Sequence, residues 1–434
     1  MPGKREKLNV NLNLNVRGLA PSATLAINEK SNEMIRQGRT VYKLGLGQSP
    51  FPVPEQVVEA LKINANKKDY LPVKGLPELR EAVSGFKYRY QKIKSSPEDV
   101  IIGPGSKELI FILQLVYYGD LIIPTPSWVS YSPQARIIGR NVNWVPTSPD
   151  NNWRLSPERL ELICRSDPDR PRIVILNYPA NPTGCTYPRD RLKKLAEVAR
   201  RYRVVLISDE IYGLLHHKDR HQSIAHYYPE GTIISSGLSK WCGAGGWRLG
   251  TFIFPRELRW LLDAMASVAS ETFTATSAPI QYAAITAFNG SPEIEQYLFH
   301  SRRILRGIAS VLVEMMRDMG AELPVPDGAF YLFPDFGKHR EMLNRRGIYT
   351  SSELCSALLE ETGVALLPGL DFGMPPEILT ARIAYVDFDG PEVLRKAWQE
   401  SPEGELGKAF VKENCPRLIE AFEKMGTWFS DMPG

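Results

Sequence analysis

Lys240 stands in Ser239-Lys240-Trp241-Cys242-Gly243-Ala244-Gly245-Gly246-Trp247-Arg248-Leu249-Gly250, eight residues ahead of Arg248 with three glycines between the two cations. A lysine amine adds to an aldehyde only when it is held deprotonated and close. A neighbouring guanidinium suits a phosphate carried by the same molecule, and glycines let the intervening backbone fold around a compact anion. The segment has the chemistry of a covalent anchor for a phosphorylated aldehyde. Read alone, it also fits a glycine-rich surface loop with two incidental cations, so the rest of the chain must decide. Polar residues in distinctive settings recur around it: Gly105-Ser106-Lys107, Asn181-Pro182-Thr183-Gly184, Ser208-Asp209-Glu210-Ile211-Tyr212 and Thr380-Ala381-Arg382-Ile383-Ala384.

Elements that would bring such residues together are legible in the hydrophobic pattern. From about residue 98, short β-rich runs alternate with helical ones: 100–102 and then a helix over 106–117, 121–123 and then a helix near 129–138. That alternation builds an α/β fold with a mostly parallel sheet flanked by helices. The clearest unit is a strand over 172–178, a helix over 188–202 with Pro188 near its first turn, and a strand over 204–208, which together read as a βαβ crossover. In such sheets the ligand site lies beyond the carboxyl ends of the strands. Asn181 follows the first of these strands, Asp209 the second, and a strand over 233–235 delivers Lys240 to the same edge. After about residue 290 a helical stretch over 293–319, the run 330–333, a helix near 351–362 and a strand over 381–386 read as a second, smaller α/β domain. The expected division is an N-terminal arm over 1–30, a segment over 31–97 packing with the small domain, a large domain over 98–290 and the small domain over 291–434. Within the arm, residues 9–16 alternate Asn with Val or Leu, a pattern open to an edge strand or a flexible arm, and the arm reading is adopted.

The whole chain narrows the class of function. With 434 residues it can bury a substantial core, and 43% apolar with 24% charged residues is ordinary enzyme composition. A formal charge of +4 without a dense basic run offers nucleic acid no footprint. Apolar runs such as 109–118 are too short for a membrane span, and Met1-Pro2-Gly3-Lys4-Arg5-Glu6 has no apolar stretch behind it, unlike a secretory signal. Cys164, Cys185, Cys242, Cys355 and Cys415 are odd in number, scattered and without a CxxC pair, which points to a reducing, cytoplasmic setting. His216, His217, His221 and His226 crowd together but lack the i, i+4 pair with carboxylate support of a helix-borne metal site. They read as a polar loop after Tyr212, and no metal is expected.

The series running from Tyr70-Leu71-Pro72-Val73-Lys74-Gly75-Leu76-Pro77-Glu78-Leu79-Arg80 through Gly105-Ser106-Lys107, Pro126-Ser127-Trp128-Val129-Ser130-Tyr131, the Asn181 and Asp209 motifs and the Lys240 segment to Arg382 resembles the class I aminotransferases of the fold-type I pyridoxal-phosphate enzymes. The resemblance covers about residues 18–400. It implies pyridoxal 5'-phosphate linked to Lys240, within a large domain and a smaller α/β one. That cofactor is an electron sink only while its ring nitrogen stays protonated, so a carboxylate must face it. Asp209 resembles that partner, the alternative being a solvated acid at a strand end. Asn181 and Tyr212 resemble the pair that donates to the phenolic oxygen and lowers the proton affinity of the lysine linkage, although Asn-Pro also fits a simple turn. Trp128 is similar to the aromatic that stacks on the ring, with a core side chain as the bland reading. Gly105 and Ser106 would offer backbone N–H groups and a hydroxyl to the phosphate at a helix N-terminus, beside Lys107, and Arg248 would supply charge. Where many members carry a serine three residues before the lysine, this chain has Gly237, flanked by Ser236 and Ser239, which leaves open which hydroxyl meets the phosphate. Tyr70 resembles the tyrosine that reaches the phosphate from the neighbouring subunit, implying a homodimer with shared active sites; a core tyrosine is the alternative.

Arg382 looks like the arginine that grips the substrate α-carboxylate fork to fork, a pairing lysine does not reproduce. A buried structural arginine is the other reading. Gly47, Trp128 and Asn181 complete the expected substrate contacts, and Lys240, once displaced as a free amine, would move the α-proton. Lys107 resembles a lysine that lies near the second carboxylate in dicarboxylate-accepting relatives, or is a solvated helix lysine. Pro21-Ser22-Ala23-Thr24 resembles a segment that closes over the substrate, and Glu271 falls in a stretch that resembles one crossing from the partner subunit, where it could neutralise Lys107. The expected activity is transfer of an amino group from aspartate, or another dicarboxylic or aromatic donor, to a 2-oxo acid such as 2-oxoglutarate. A lyase or cyclase on the same scaffold shares every cofactor residue. A non-catalytic ligand-sensing module would need a DNA-binding domain, which the few dozen residues before the fold cannot supply.

Overall fold

Short runs that are apolar throughout suit strands covered on both faces, and the chain sets them at the centre of a seven-stranded sheet. The computed structural model describes residues 11–400 and 402–431. Val16 and Arg17 donate their N–H groups to Asn13 O, each at 3.1 Å, so the described part of the Asn-rich stretch forms a turn; Asn9 and Val10 lie outside the described residues. Helix α1 (Ala23–Arg36), strand β1 (Tyr42–Lys43) and helices α2 (Glu55–Asn64) and α3 (Pro77–Gln91) follow. Strands and helices then alternate: β2 (Val100–Gly103), α4 (Ser106–Val116), β3 (Asp120–Thr125), α5 (Tyr131–Ile137), β4 (Val142–Pro146), α6 (Pro157–Arg165), β5 (Arg172–Asn177), α7 (Arg189–Arg201), β6 (Val205–Asp209), β7 (Thr232–Gly237) and β8 (Gly250–Ile253). Beyond them lie α8 (Arg259–Thr272), α9 (Ala278–Asn289), α10 (Pro292–Asp318), β9 (Tyr331–Leu332), α11 (Arg340–Arg345), α12 (Ser351–Thr362), β10 (Val364–Ala365), β11 (Leu367–Pro368), β12 (Ala381–Ala384), α13 (Gly390–Gln399), α14 (Lys408–Asn414) and α15 (Pro416–Ser430).

The large sheet has the order β2-β8-β7-β6-β5-β3-β4. Neighbours from β7 to β4 are parallel, and β8 runs antiparallel to both β7 and β2. The expected α/β class and mostly parallel sheet are therefore present, and β5, α7 and β6 form the anticipated crossover. Helix α7 buries Leu192, Leu195, Ala196 and Ala199 at three- and four-residue spacing, which presents one apolar stripe to the sheet. Side chains alternate across the strands. Ile173, Ile175, Val205 and Ile207 pack with Leu113 of α4 and Met265 of α8 on one face. Val174, Leu176 and Leu206 pack with Leu160 of α6 and Leu195 of α7 on the other. Truncating a fully buried residue such as Ile207 to alanine would cost about 2–5 kcal/mol.

A second core joins α2, α3, α9 and α10 to the C-terminal helices. Leu418, Phe422, Met425 and Phe429 of α15 are buried in it, so the C-terminal stretch is built into the fold and does more than cover a surface. β11, β12 and β9 form a small antiparallel sheet, and β1 pairs in parallel with β10. Helix α12 opens with a reciprocal capping box between Thr350 and Glu353 and stops at Gly363 in the left-handed region, φ 76°; β10 starts at once. The last strand is shorter than its apolar run, ending at Ala384 because Tyr385 N turns away to Phe330 O at 3.1 Å. No helix among the described residues is long and apolar enough to cross a membrane, and all five cysteines are free and buried.

Candidate active site

Beyond the carboxyl ends of β3, β5, β6 and β7 lies a cavity of about 400 Å³, within the size range of small-molecule sites. Strand β6 ends in Asp209, which is buried at 3% exposure. Tyr131 Oη donates to its Oδ2 at 2.5 Å and Ser235 Oγ to its Oδ1 at 3.2 Å. Burial pushes its pKa up to about 6 against the pull of both hydrogen bonds. Such a carboxylate is suited to a partner that brings its own N–H⁺.

Lys240 follows β7 and points across the same cavity, donating from Nζ to Gly47 O at 2.6 Å. Burial, and then the positive charges of Arg382 and Arg248, bring its pKa down to about 8. About one amine in ten is then neutral at pH 7, against roughly one in three thousand for an unshifted lysine. Arg382 on β12 is 1% exposed. Its Nη1 donates to Asn181 Oδ1 at 3.2 Å and its Nη2 to Gly45 O, while the guanidinium lies 4.9 Å from the Tyr331 ring and 5.1 Å from the Phe372 ring. Its Nε is buried without a hydrogen-bond partner among the described residues. A fixed, desolvated guanidinium of this kind is a seat for a carboxylate.

The opposite end is built for an anion. Gly105, φ 95°, leads into α4, and a Cβ there would overlap the Arg248 guanidinium; a Cβ at Gly250 would overlap Ser106 N. Glycine at both positions lets the N-terminus of α4, β8 and Arg248 crowd around one space. Arg248 holds φ 57°, a left-handed conformation that a non-glycine residue adopts at a cost. It donates to Gly245 O at 2.8 Å and Pro104 O at 3.3 Å. Gly237 is required by the backbone, since a Cβ would stand 2.6 Å from Leu249 O. Of the two serines beside it, Ser239 lines this cavity, whereas Ser236 lines a small separate one with Lys87 and Glu210.

Residues 39–388 match the family model for aminotransferase class I and II. The chain belongs to the class I and II aminotransferases. It is 37% identical to the aspartate aminotransferase of Geobacillus stearothermophilus over 85% of this chain and 93% of that one. It is 33% identical to the aspartate/prephenate aminotransferase of Thermus thermophilus, over 89% and 96% of the two chains, and 31% identical to the asparagine–oxo-acid transaminase of Streptococcus mutans, over 86% and 94%. Its fold matches the solved aspartate aminotransferase from Thermus thermophilus with maleate at a TM-score of 0.81 and 30% identity, covering 96% of this chain and 99% of the other. The family is one of pyridoxal-phosphate-dependent transaminases of fold type I.

Most residues expected from the sequence line this aminotransferase's cavity: Gly47, Ser106, Lys107, Trp128, Asn181, Asp209, Tyr212, Ser239, Lys240, Arg248 and Arg382. They fit a phosphorylated aromatic aldehyde, with an amine near neutrality, a buried acid, an indole wall and a cradle that only glycine leaves open. Gly105 stands immediately behind the cradle. Tyr70, 92% exposed, and Glu271, exposed on α8, do not line the cavity of the single chain. Lys107 Nζ lies 5.7 Å over the Trp128 ring. Ser22, Thr24 and Leu25, at the start of α1, border the cavity mouth.

Two tyrosines were not assigned from the sequence. Tyr131 touches Asp209 directly, and its position three residues after Trp128 was the available signal. Tyr331 sits in an apolar run, and its hydroxyl meets Tyr212 Oη at 2.6 Å across 119 positions of chain; nothing local marks it. The histidine-rich segment follows Tyr212 as the expected loop, and part of it is buried. His216 and His217 are buried, His217 Nε2 lies 3.1 Å from Ala329 O, and His221 Nε2 lies 3.0 Å from Glu210 Oε2. The apolar residues around them, Leu214 and Leu215, carry the segment into the core. The described residues hold no cluster of metal-ligating side chains.

Proposed function

We propose that this aminotransferase holds pyridoxal 5'-phosphate in the cavity and exchanges amino groups between a dicarboxylic amino acid, aspartate first, and a 2-oxo acid such as 2-oxoglutarate. The observation that carries the reading is one cavity that presents a near-neutral lysine, a buried carboxylate and a buried guanidinium together. When bound, the cofactor supplies an aldehyde that joins to amino groups and a protonated ring that accepts electrons from the substrate Cα. Asp209 would keep the proton on the ring nitrogen; Asn181 Nδ2 and Tyr212 Oη would donate to the phenolic oxygen. Trp128 would cover one ring face, and Ser106 with its backbone N–H, Ser239 and Arg248 would hold the phosphate. Arg382 would pair with the α-carboxylate beside Gly47 and so orient Cα toward Lys240. Lys240 Nζ, in its neutral form, would take the α-proton and return it on the other side of the exchange.

Support for a dicarboxylic substrate comes from Lys107, whose charge faces the cavity and whose pKa is lowered by burial and then by Arg248. An anion beside it relieves both effects. The names of the relatives, and the maleate with the Thermus structure, point the same way. We further propose a cytoplasmic homodimer in which Tyr70, exposed in the single chain, reaches the partner's phosphate site, and the division into arm, large domain and small domain at residues 30, 97 and 290. The half-reaction tests the activity. Aspartate added without acceptor should convert the cofactor's absorbance in a single turnover and yield one equivalent of keto acid per site; ammonia release instead would indicate a lyase.

A further inference from the structure

Immediately after Asp209 the chain places a second buried carboxylate, Glu210, which points to the opposite side of the strand end. Its carboxylate is saturated by donors from three parts of the fold. Lys87 Nζ on α3 lies 2.6 Å from Oε2 and Gln91 Nε2 one turn later lies 3.1 Å from the same oxygen, while Ser208 Oγ donates to Oε1 at 2.7 Å. His221 Nε2 approaches Oε2 to 3.0 Å but is not aligned as a hydrogen bond. Lys87 and Glu210 are each under a tenth exposed. Glu210 N donates to Ser235 O at 2.9 Å, and Ser235 is the residue whose hydroxyl holds Asp209 Oδ1. Glu210 thus ties the end of β6 to β7 through its backbone and to α3 through Lys87 and Gln91. The other titratable groups facing this carboxylate are Asp209 itself, Tyr178, whose hydroxyl joins Ser208 Oγ at 2.7 Å, and His226.

We propose that Lys87 is a positioning residue for the reaction: by neutralising and anchoring Glu210 it sets the orientation and the electrostatic surroundings in which Asp209 meets the ring nitrogen. This rests on the reading of the cavity given above. Two adjacent carboxylates in a low-dielectric interior repel one another, and a counterion on one of them decides how much negative potential the other feels. Burial alone would keep Glu210 protonated, and Lys87 followed by His221 reverse this and hold its carboxyl well below the ordinary value. With Lys87 gone, Gln91 Nε2 and Ser208 Oγ remain as donors to Glu210, and on this proposal the negative charge they hold is left unbalanced beside Asp209. Protons on neighbouring groups then become harder to remove.

The test is a pH titration of the bound cofactor's near-visible absorbance, which follows the proton on Lys240 Nζ, in wild-type and K87M holoenzyme without substrate. A single uncompensated charge at an effective dielectric of about 20 moves such a titration by about one pH unit. The expected result is an upward shift of about one unit in K87M, restored in K87R, with kcat down about tenfold and KM for the amino acid within about twofold. K87Q, which keeps a polar side chain beside Glu210 but removes the charge, is expected to shift the midpoint as K87M does and decides the matter if K87M does not fold. A wild-type midpoint retained in these variants, or a K87R that behaves as K87M, overturns the positioning role. A wild-type protein that shows no such absorbance overturns the reading of the site itself.

Discussion

Replacing Arg382 by lysine keeps a positive charge on β12 and removes the fork. The guanidinium is fixed on two rings and two acceptors, Asn181 Oδ1 and Gly45 O, so its remaining edge meets a carboxylate without further ordering. Lysine offers a point charge on a flexible stem and forfeits one of two charge-assisted bonds, each worth about 1.5–3 kcal/mol. R382K is therefore expected to lose about 10- to 100-fold in kcat/KM for aspartate, with the cofactor still bound. The assay is the single-turnover half-reaction followed by cofactor absorbance over a range of aspartate concentrations. R382M adds a distinct signature: Arg382 is the larger of the two positive charges that lower Lys240, so its removal moves the amine's titration above about 8. A kcat/KM within threefold of wild type in R382K, with cofactor bound, would refute the assignment of Arg382 to the α-carboxylate.

K107M is expected to lower kcat/KM for aspartate about tenfold and to leave an aromatic donor within about twofold, measured in the same half-reaction. Asp209 keeps its proton to about pH 6 in the folded protein without cofactor, against 3.8 for the ordinary side chain. The folded state then binds more protons than the unfolded chain across that interval, and this residue's contribution to stability falls as the pH rises through it, by about 3 kcal/mol in all. Urea unfolding of wild type and D209N at pH 4.5 and 7 checks this, because only the wild type carries the loss. G250A drives a Cβ into Ser106 N and is expected to cost about 1–3 kcal/mol by overpacking and to weaken cofactor binding at least tenfold, read by fluorescence titration. An unchanged cofactor affinity would separate that glycine from the phosphate cradle.

Residues placed by the strand ends were the most legible. Asn181, Asp209 and Lys240 each follow a buried apolar run, and a parallel sheet carries all such positions to one edge, so sequence order alone brought them together. Gly105, Gly237 and Gly250 could be noticed as glycines, yet what each one avoids, a guanidinium, a carbonyl or a backbone amide from elsewhere in the chain, is set by packing. Tyr331 and the Lys87–Glu210–His221 cluster were silent for the same reason: their partners lie more than a hundred positions away or in segments whose local pattern reads as solvated. In the histidine segment the polar composition gives no sign of burial, which comes from partners elsewhere in the chain such as Ala329 O. The bounds of α12 agreed closely, in keeping with the local capping box and the Gly363 stop found there, and the short strands β1, β10 and β11 escaped notice because two-residue ladders have no period.

The proposed function depends on a covalent bond at one nitrogen. Protein loaded with pyridoxal phosphate should be reduced with borohydride, digested and mapped by mass spectrometry. A phosphopyridoxyl group on Lys240 is the expected dominant adduct, at close to one per chain. Absence of any adduct, or its presence on another lysine with Lys240 unmodified, would contradict the proposed function.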